Sequence, residues 1–282
     1  RWRLALTGLV GGHSGIDIHE GRGNAIKILN RLLWQMQKKV PFELIFLNGG
    51  DKHNAIPREV VAQVVMPKSK VTAAEKWLAA ALKDLLIEFK PVEHSIKLTM
   101  KVVDKKLQPV LSGASQEKLL GLLFALPHGP LAMSRSIKDL VETSNNVAAV
   151  KCEKSRVVII CSSRSSNMAA LRATRNKLAA IAKMAGAKIQ QPEGYPGWMP
   201  NLESPVLKVT MDTFRAITGK NAHFQAIHAG LECGIIGEKF PGMDMISLGP
   251  TLQHPHSPEE RVHIGSVAIF YKHLLKILET LS

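Results

Sequence analysis

The chain has 282 residues, 45% of them hydrophobic and 21% charged, with a formal net charge of +14 at pH 7. That is enough length for two compact domains with apolar cores, and it excludes a largely disordered chain. No apolar run approaches the roughly 20 residues that span a bilayer and no signal-peptide pattern follows Arg1, so a soluble, cytoplasmic protein without membrane contact is expected, with the sequence silent on anything upstream of Arg1.

In chain order, the glycine-rich run Leu9-Val10-Gly11-Gly12-His13-Ser14-Gly15 leads into Asp17-Ile18-His19-Glu20-Gly21-Arg22-Gly23-Asn24-Ala25-Ile26. Beyond Gly23, apolar residues at Ile26, Leu29, Leu33 and Met36 recur at helical spacing and predict a helix to about Lys38 with one buried face. Phe42 to Asn48 and Arg58 to Met66 read as strands, separated by a Gly-Gly-Asp turn region. Val71 to Phe89 reads as a second helix with Trp77, Leu78, Leu82 and Leu85 on its inner side. Strands follow at Ser95 to Val103, Asn146 to Cys152 and Arg156 to Ser162. Helices are expected at Gln116 to Leu126 and at Asn167 to Ala185, the latter stopped near Gly186. Irregular alternation of this kind implies an α+β domain with a largely antiparallel sheet.

The stretch Gln190 to Gly197, dense in Pro and Gly, is the one convincing boundary. After it come a helix (Ser204 to Thr218), a strand (His223 to Ile227), a glycine-flanked segment, a strand (Met243 to Leu248), a proline-stiffened loop around His256, and a helix (Glu259 to Leu281). This is the tail of an α/β sheet.

The loop Gly249-Pro250-Thr251-Leu252-Gln253-His254-Pro255-His256-Ser257-Pro258 holds imidazoles between prolines, which lower the entropy cost of fixing a metal ligand. Taken alone, His254 and His256 read as solvated loop histidines. Cys152, Cys161 and Cys233 form no CxxC pair and give an odd count, which argues against a disulfide scaffold or thiolate zinc site and for a reducing compartment. Cys233 reads as a buried, inert thiol. The positive charge is spread along helices and strand ends with few aromatics between, which argues for a solvated basic surface and against a nucleic-acid partner.

The Gly-Gly-His-Ser-Gly run, the Ile227-His228-Ala229-Gly230-Leu231-Glu232-Cys233-Gly234 run, Gly194-Tyr195-Pro196-Gly197-Trp198 and the His256 loop together resemble the aminoacyl-histidine dipeptidases of the M20 metallopeptidase family. The resemblance runs from Arg1 to Ser282 and covers the later part of such an enzyme. It implies an inserted lid and dimerisation domain at residues 1–191, with a largely antiparallel sheet. Residues 192–282 would be the C-terminal segment of an α/β zinc-peptidase catalytic domain.

The resemblance also implies roles. His256 matches the final ligand of a site for two divalent ions, taken as zinc. His13 matches a lid histidine that stabilises the oxyanion in the neighbouring subunit's site. Asn54 matches a substrate-binding lid position, although a turn Asn capping its own backbone fits the sequence as well. Arg164 matches the arginine that grips the substrate's C-terminal carboxylate through its planar fork, its alternative being an exposed strand-end arginine. Gly230, Leu231 and Glu232 match a substrate-lining segment, in which Glu232 meets the substrate's amino group or holds His228. His228, His254 and His263 carry no family role.

The implied activity is metal-dependent hydrolysis of dipeptides, preferentially with C-terminal histidine, by a homodimer. The other metal ligands and the base belong to a family segment this sequence does not contain, so the chain alone is expected to be inactive. The competing readings are a noncatalytic binding or dimerisation protein derived from the family and, behind it, a basic nucleic-acid-binding module.

Overall fold

The computed structural model describes residues 1–103, 109–194, 196–199, 201–222, 232–253 and 260–282. They form two compact units, one of Arg1–Gly194 and one whose described residues lie between 196 and 282.

In chain order the first unit contains β1 (Trp2–Thr7), β2 (Gly12–His13), α1 (Ala25–Met36), β3 (Glu43–Gly49), β4 (Ala55–Ile56), β5 (Val60–Val65), α2 (Val71–Glu88), β6 (Lys97–Val102), α3 (Gly113–Ala125), β7 (Gly129–Met133), β8 (Val141–Cys152), β9 (Val157–Ser165) and α4 (Met168–Met184). Seven of these strands make one sheet in the order β6-β1-β5-β3-β8-β7, with β9 also on β8. Every pairing in it is antiparallel, as the α+β reading expects. β2 and β4 stand apart as a two-stranded ribbon.

Alternation explains the core. Leu4 and Leu6 on β1 and Val60, Ala62 and Val64 on β5 turn one face of the sheet inward. Helix α1 lays Ile26, Leu29, Leu33 and Met36 into that face, the same four positions that its sequence period marks. Asn24 caps α1 by accepting the Lys27 N–H, and its amide also donates to Val147 O on β8 at 2.8 Å, so one side chain both starts the helix and docks it. Asn30, fully buried, donates to Leu120 O at 3.0 Å and joins α1 to α3.

Strand β3 meets β8 only at Gly49↔Val150. The rest of its edge is completed by other groups: Gln116 Oε1 accepts Leu44 N–H, Leu111 N–H donates to Leu44 O, and Asn48 Oδ1 accepts Cys152 N–H. A buried edge left open would cost one unsatisfied polar group per residue, which these side chains avoid.

The second unit contains α5 (Pro205–Thr218), α6 (Glu232–Lys239), β10 (Leu252–Gln253), β11 (Arg261–Val262) and α7 (Ile264–Leu281). Ser204 caps α5 by accepting Leu207 N–H, and Gly219 at φ +70° ends it. His273 on α7 bonds Thr210 O on α5 at 2.9 Å and meets the Phe214 ring edge-on at 5.3 Å.

Several expectations are corrected. Met243 to Leu248 is not a strand: no described segment pairs with it, and an apolar run becomes a strand only beside a partner. The last helix begins at Ile264 rather than Glu259, because Arg261–Val262 first pairs with Leu252–Gln253 and His263 then caps the helix through Ser266 N–H. Strand β8 starts at Val141, five residues before the expected Asn146, and β1 and β7 were not expected. Cys233 is half-buried rather than buried. The expected strand at residues 223–227 lies outside the described residues.

Candidate functional site

The ribbon is where sequence-expected residues converge. Its register pairs Gly12 with Ile56 and His13 with Ala55, and Ser14 N–H donates to Asn54 O at 2.8 Å. Asn54, 41 positions from His13 in the numbering, is therefore brought opposite Ser14, the residue next to His13. Beneath the ribbon, Ile18, Ile56 and Val141 form a small apolar cluster separate from the main core.

The His13 loop is fixed by polar contacts. Its backbone N–H donates to Asp17 Oδ2 at 2.7 Å, and its Nδ1 faces the N–H groups of Gly15 and Ile16 at 3.2 and 3.1 Å. Two donors aimed at Nδ1 require it to carry the lone pair, which assigns the proton of the neutral ring to Nε2. Arg22 ties the loop further, pairing with Asp17 at 3.3 Å and donating to Gly11 O at 2.6 Å. A Cβ on Gly12 would run into both Arg22 Nη1 and Asp17 Oδ2, at a φ of +139°, so only glycine fits between the pair and the histidine.

The carboxamide of Asn54 bonds to no described residue, so it does not cap its own turn. The backbone on either side of it is anchored instead: buried Asn146 on β8 donates to Ala55 O at 2.8 Å and to His53 O at 3.4 Å.

Arg164 lies on β9 opposite Ser144, and Ser162 lies opposite Asn146, with no register shift between these pairs. Alternation then puts Ser144, Asn146 and Arg164 on one face of the sheet. Arg164 is half-buried on the strand face whose Asn146 holds the Asn54 turn. The two residues between take the other face, where Asn145 accepts Ser163 Oγ–H at 2.8 Å and Thr143 bonds Ser165 at 2.9 Å.

The structure thus places Asn54 beside the His13 ribbon, and Arg164 on the strand paired with the one whose Asn146 anchors the Asn54 turn. Glu232 is an exposed residue at the first position of α6 in the second unit. Gly230, Leu231 and His256, like His228 and His254, lie outside the described residues. His263 caps α7, a local role.

Sequence reading missed Asp17, Arg22 and Asn146 as supports of this region. Part of the signal for Asn146 was present: two adjacent asparagines head the apolar run Val147 to Val150, and asparagine is depleted in strands unless its amide has a task. Asp17 and Arg22 lay inside the glycine-rich run, where nothing in a one-dimensional reading reveals that they close on each other.

Burial raises the thiol pKa of Cys161, Cys152 and Cys233 above the ordinary range, so none is set up as a thiolate. A separate cavity of about 410 Å³ lies against Asn24, Lys27, Arg31, Phe89, Phe124 and His128. Its cations are already engaged. Lys27 Nζ donates to Leu123 O, Phe124 O and Leu126 O at the end of α3, and Arg31 forks onto Glu88 at 2.9 and 2.7 Å. Burial lowers Lys27 to about 8, and burial followed by the Lys27 charge lowers His128 to about 4. None of the expected site residues lines this cavity.

Among the described residues, no group of three or more His, Cys, Asp or Glu side chains is placed to hold a metal ion, and no helix is long and apolar enough to cross a membrane.

Comparison with known proteins fits this geometry into a longer frame. Residues 4–90 match a family described as the peptidase dimerisation domain of the M20 type. The cytosol non-specific dipeptidase of Escherichia coli (strain K12) is 37% identical over 278 residues, which is 99% of this chain and 57% of that protein. The crystal structure of aminoacylhistidine dipeptidase from Vibrio alginolyticus superposes with a TM-score of 0.90 at 36% identity, covering 99% of this chain and 57% of that one. The chain therefore spans a little over half the length of these relatives.

Proposed function

We propose that this chain, whose residues 4–90 match the peptidase dimerisation domain of the M20 type, is the lid and closing segment of a metal-dependent dipeptidase of that family that prefers a C-terminal histidine. Residues 1–191 act as the lid, which dimerises the enzyme in the cytoplasm, and residues 192–282 complete a catalytic domain.

The observation that carries this reading is the held imidazole. His13, with Nδ1 occupied by two backbone N–H groups, presents Nε2–H as its donor, the form an oxyanion of a tetrahedral intermediate requires. Asn54, whose carboxamide bonds to no described residue, hydrogen-bonds the substrate. Arg164 binds the substrate's carboxylate. Gly230 and Leu231 line the substrate with backbone amides, and Glu232 meets its amino group or holds His228.

His256 is this chain's one ligand in a site for two divalent ions, taken as zinc. The described residues do not make a metal centre by themselves, so the remaining ligands are assigned to the stretch that the relatives have and this chain does not span. The 282-residue chain on its own is accordingly inactive.

The test is to fuse the chain behind the preceding segment of the E. coli relative and assay Xaa-His dipeptides with added Zn²⁺. Hydrolysis by the fusion, none by the chain alone, and a loss of at least about 100-fold in kcat for His13→Ala are expected. A folded fusion that binds metal but hydrolyses no dipeptide overturns the reading. It would favour the second one, a noncatalytic dimerising protein.

A further inference from the structure

Glu93 lies just beyond the end of α2 with only 3% of its surface exposed, and no described Lys, Arg or His pairs with it. Its two carboxylate oxygens are divided between two distant points of one loop. Oε2 accepts the Val10 N–H at 2.7 Å, and Oε1 accepts the Gly23 N–H at 2.8 Å. Those residues are the two mouths of the segment that carries Gly12, His13, Asp17 and Arg22. Its own backbone is fixed as well, since Glu93 N–H donates to Phe89 O at 2.8 Å.

Burying a carboxylate without a cation is costly, and an apolar side chain would fill the same space more cheaply if space were all that mattered. A carboxylate does what no other side chain of that length does: it accepts at both ends. A glutamine offers one acceptor and one donor, and the donor would face an N–H.

From Val10 the chain runs three residues to His13. From Gly23 it steps back to Arg22, which grips Gly11 O and Asp17, and Asp17 in turn accepts the His13 N–H. We infer that Glu93 is a positioning residue for His13: by stapling both mouths of the loop it fixes where the imidazole stands and which nitrogen carries the proton. The inference rests on the reading of His13 as a site residue, but its test reads the imidazole itself and needs no activity.

The full chain, labelled with ¹⁵N at histidine and at backbone amides, is compared with Glu93→Gln. The unsubstituted chain should show His13 in a single Nε2–H tautomer. In Glu93→Gln, with far-UV CD unchanged, the Val10 and Gly23 amide protons should exchange at least about tenfold faster, each factor of ten being about 1.4 kcal/mol of local opening. The His13 nitrogen shifts should move toward a mixture of tautomers. If Glu93→Gln does not fold, Glu93→Asp, which keeps the charge but is one methylene short of spanning both N–H groups, is read by the same two signals. His13 shifts that coincide with the unsubstituted chain in a folded variant overturn the proposal, even if the two amides exchange faster, because Glu93 would then serve loop stability alone. An inactive fusion enzyme together with a moved His13 signal would instead sink the hydrolase reading and leave this one standing.

Discussion

The two units use apolar residues in opposite ways. Every buried hydrophobic residue among those described, except Ile277, lies in the first unit. In the second, α7 turns His273 and Ile277 inward and leaves Ile264, Val267, Tyr271, Leu275, Leu278 and Leu281 exposed along another side. A helix that is apolar on more than one side is a helix built to be covered. The α5–α7 contact is itself polar at its centre, with Thr210, Thr213 and His273 inside. Hydrophobic content alone therefore does not make a domain; it must be arranged so that faces meet. The first unit meets that condition with one sheet and four helices, and the second carries apolar surface that no described residue covers.

The largest effect expected from this contrast is all-or-none. Residues 1–194 expressed alone should unfold cooperatively in urea, whereas residues 195–282 alone should show helical far-UV CD, no cooperative transition and strong binding of a hydrophobic dye. A sharp transition for the second fragment would break the comparison. Next in size, Leu33→Ala, at a position with 0% exposure, should cost about 3 kcal/mol in the midpoint analysis of the first unit. Leu278→Ala, at 56% exposure, should cost less than about 0.5 kcal/mol. Equal costs at the two sites would mean that α7 is covered after all.

The same contrast governs how much the sequence could say. Helix α1 was legible to within two residues because the four periodic core positions and the cap all lie inside one short window. Strand β1 was not, since Trp2-Arg3-Leu4-Ala5-Leu6-Thr7 becomes recognisable as central only when β5 and β6 pair with its two edges. The Met243 run misled for the converse reason: apolar composition states readiness for a sheet and cannot supply the neighbour. At the candidate site, the glycines around His13 were visible as permission for a tight loop. That Asn54 is brought alongside it, opposite Ser14, was not, because the pairing of β2 with β4 is long-range and only two residues long.

A pH titration sharpens the comparison from inside the first unit. Burial, and then the Lys27 charge, holds His128 at about 4, below its ordinary value near 6.5. Its folded-state value is depressed, so the unfolded chain binds the extra proton between about pH 6.5 and 4, and stability is lost as pH falls through that window. The first unit should lose about 2 kcal/mol between pH 7 and pH 5 from this group alone. His128→Gln should flatten that slope while leaving stability at pH 8 within about 1 kcal/mol. An unchanged slope would place the acid sensitivity elsewhere.

The smallest effect is the one that decides why the first unit is stable. Arg31 on α1 forks onto Glu88 at the end of α2, an ion pair of good geometry between two helices that also bury apolar residues together. The side chains are 33% and 47% exposed, so water and salt screen the pair, and exposed pairs of this kind contribute about 0–1 kcal/mol. If apolar facing is what separates the two units, Glu88→Gln should lower the urea midpoint only slightly, by less than about 1 kcal/mol, and the difference should shrink further in about 0.5 M NaCl. A loss of several kcal/mol that survived salt would mean that charge pairing, rather than burial, holds α1 and α2 together. The contrast between the units would then have to be redrawn in terms of ion pairs, since apart from Lys276 with Glu279 on α7 the ion pairs among the described residues all lie in the first unit.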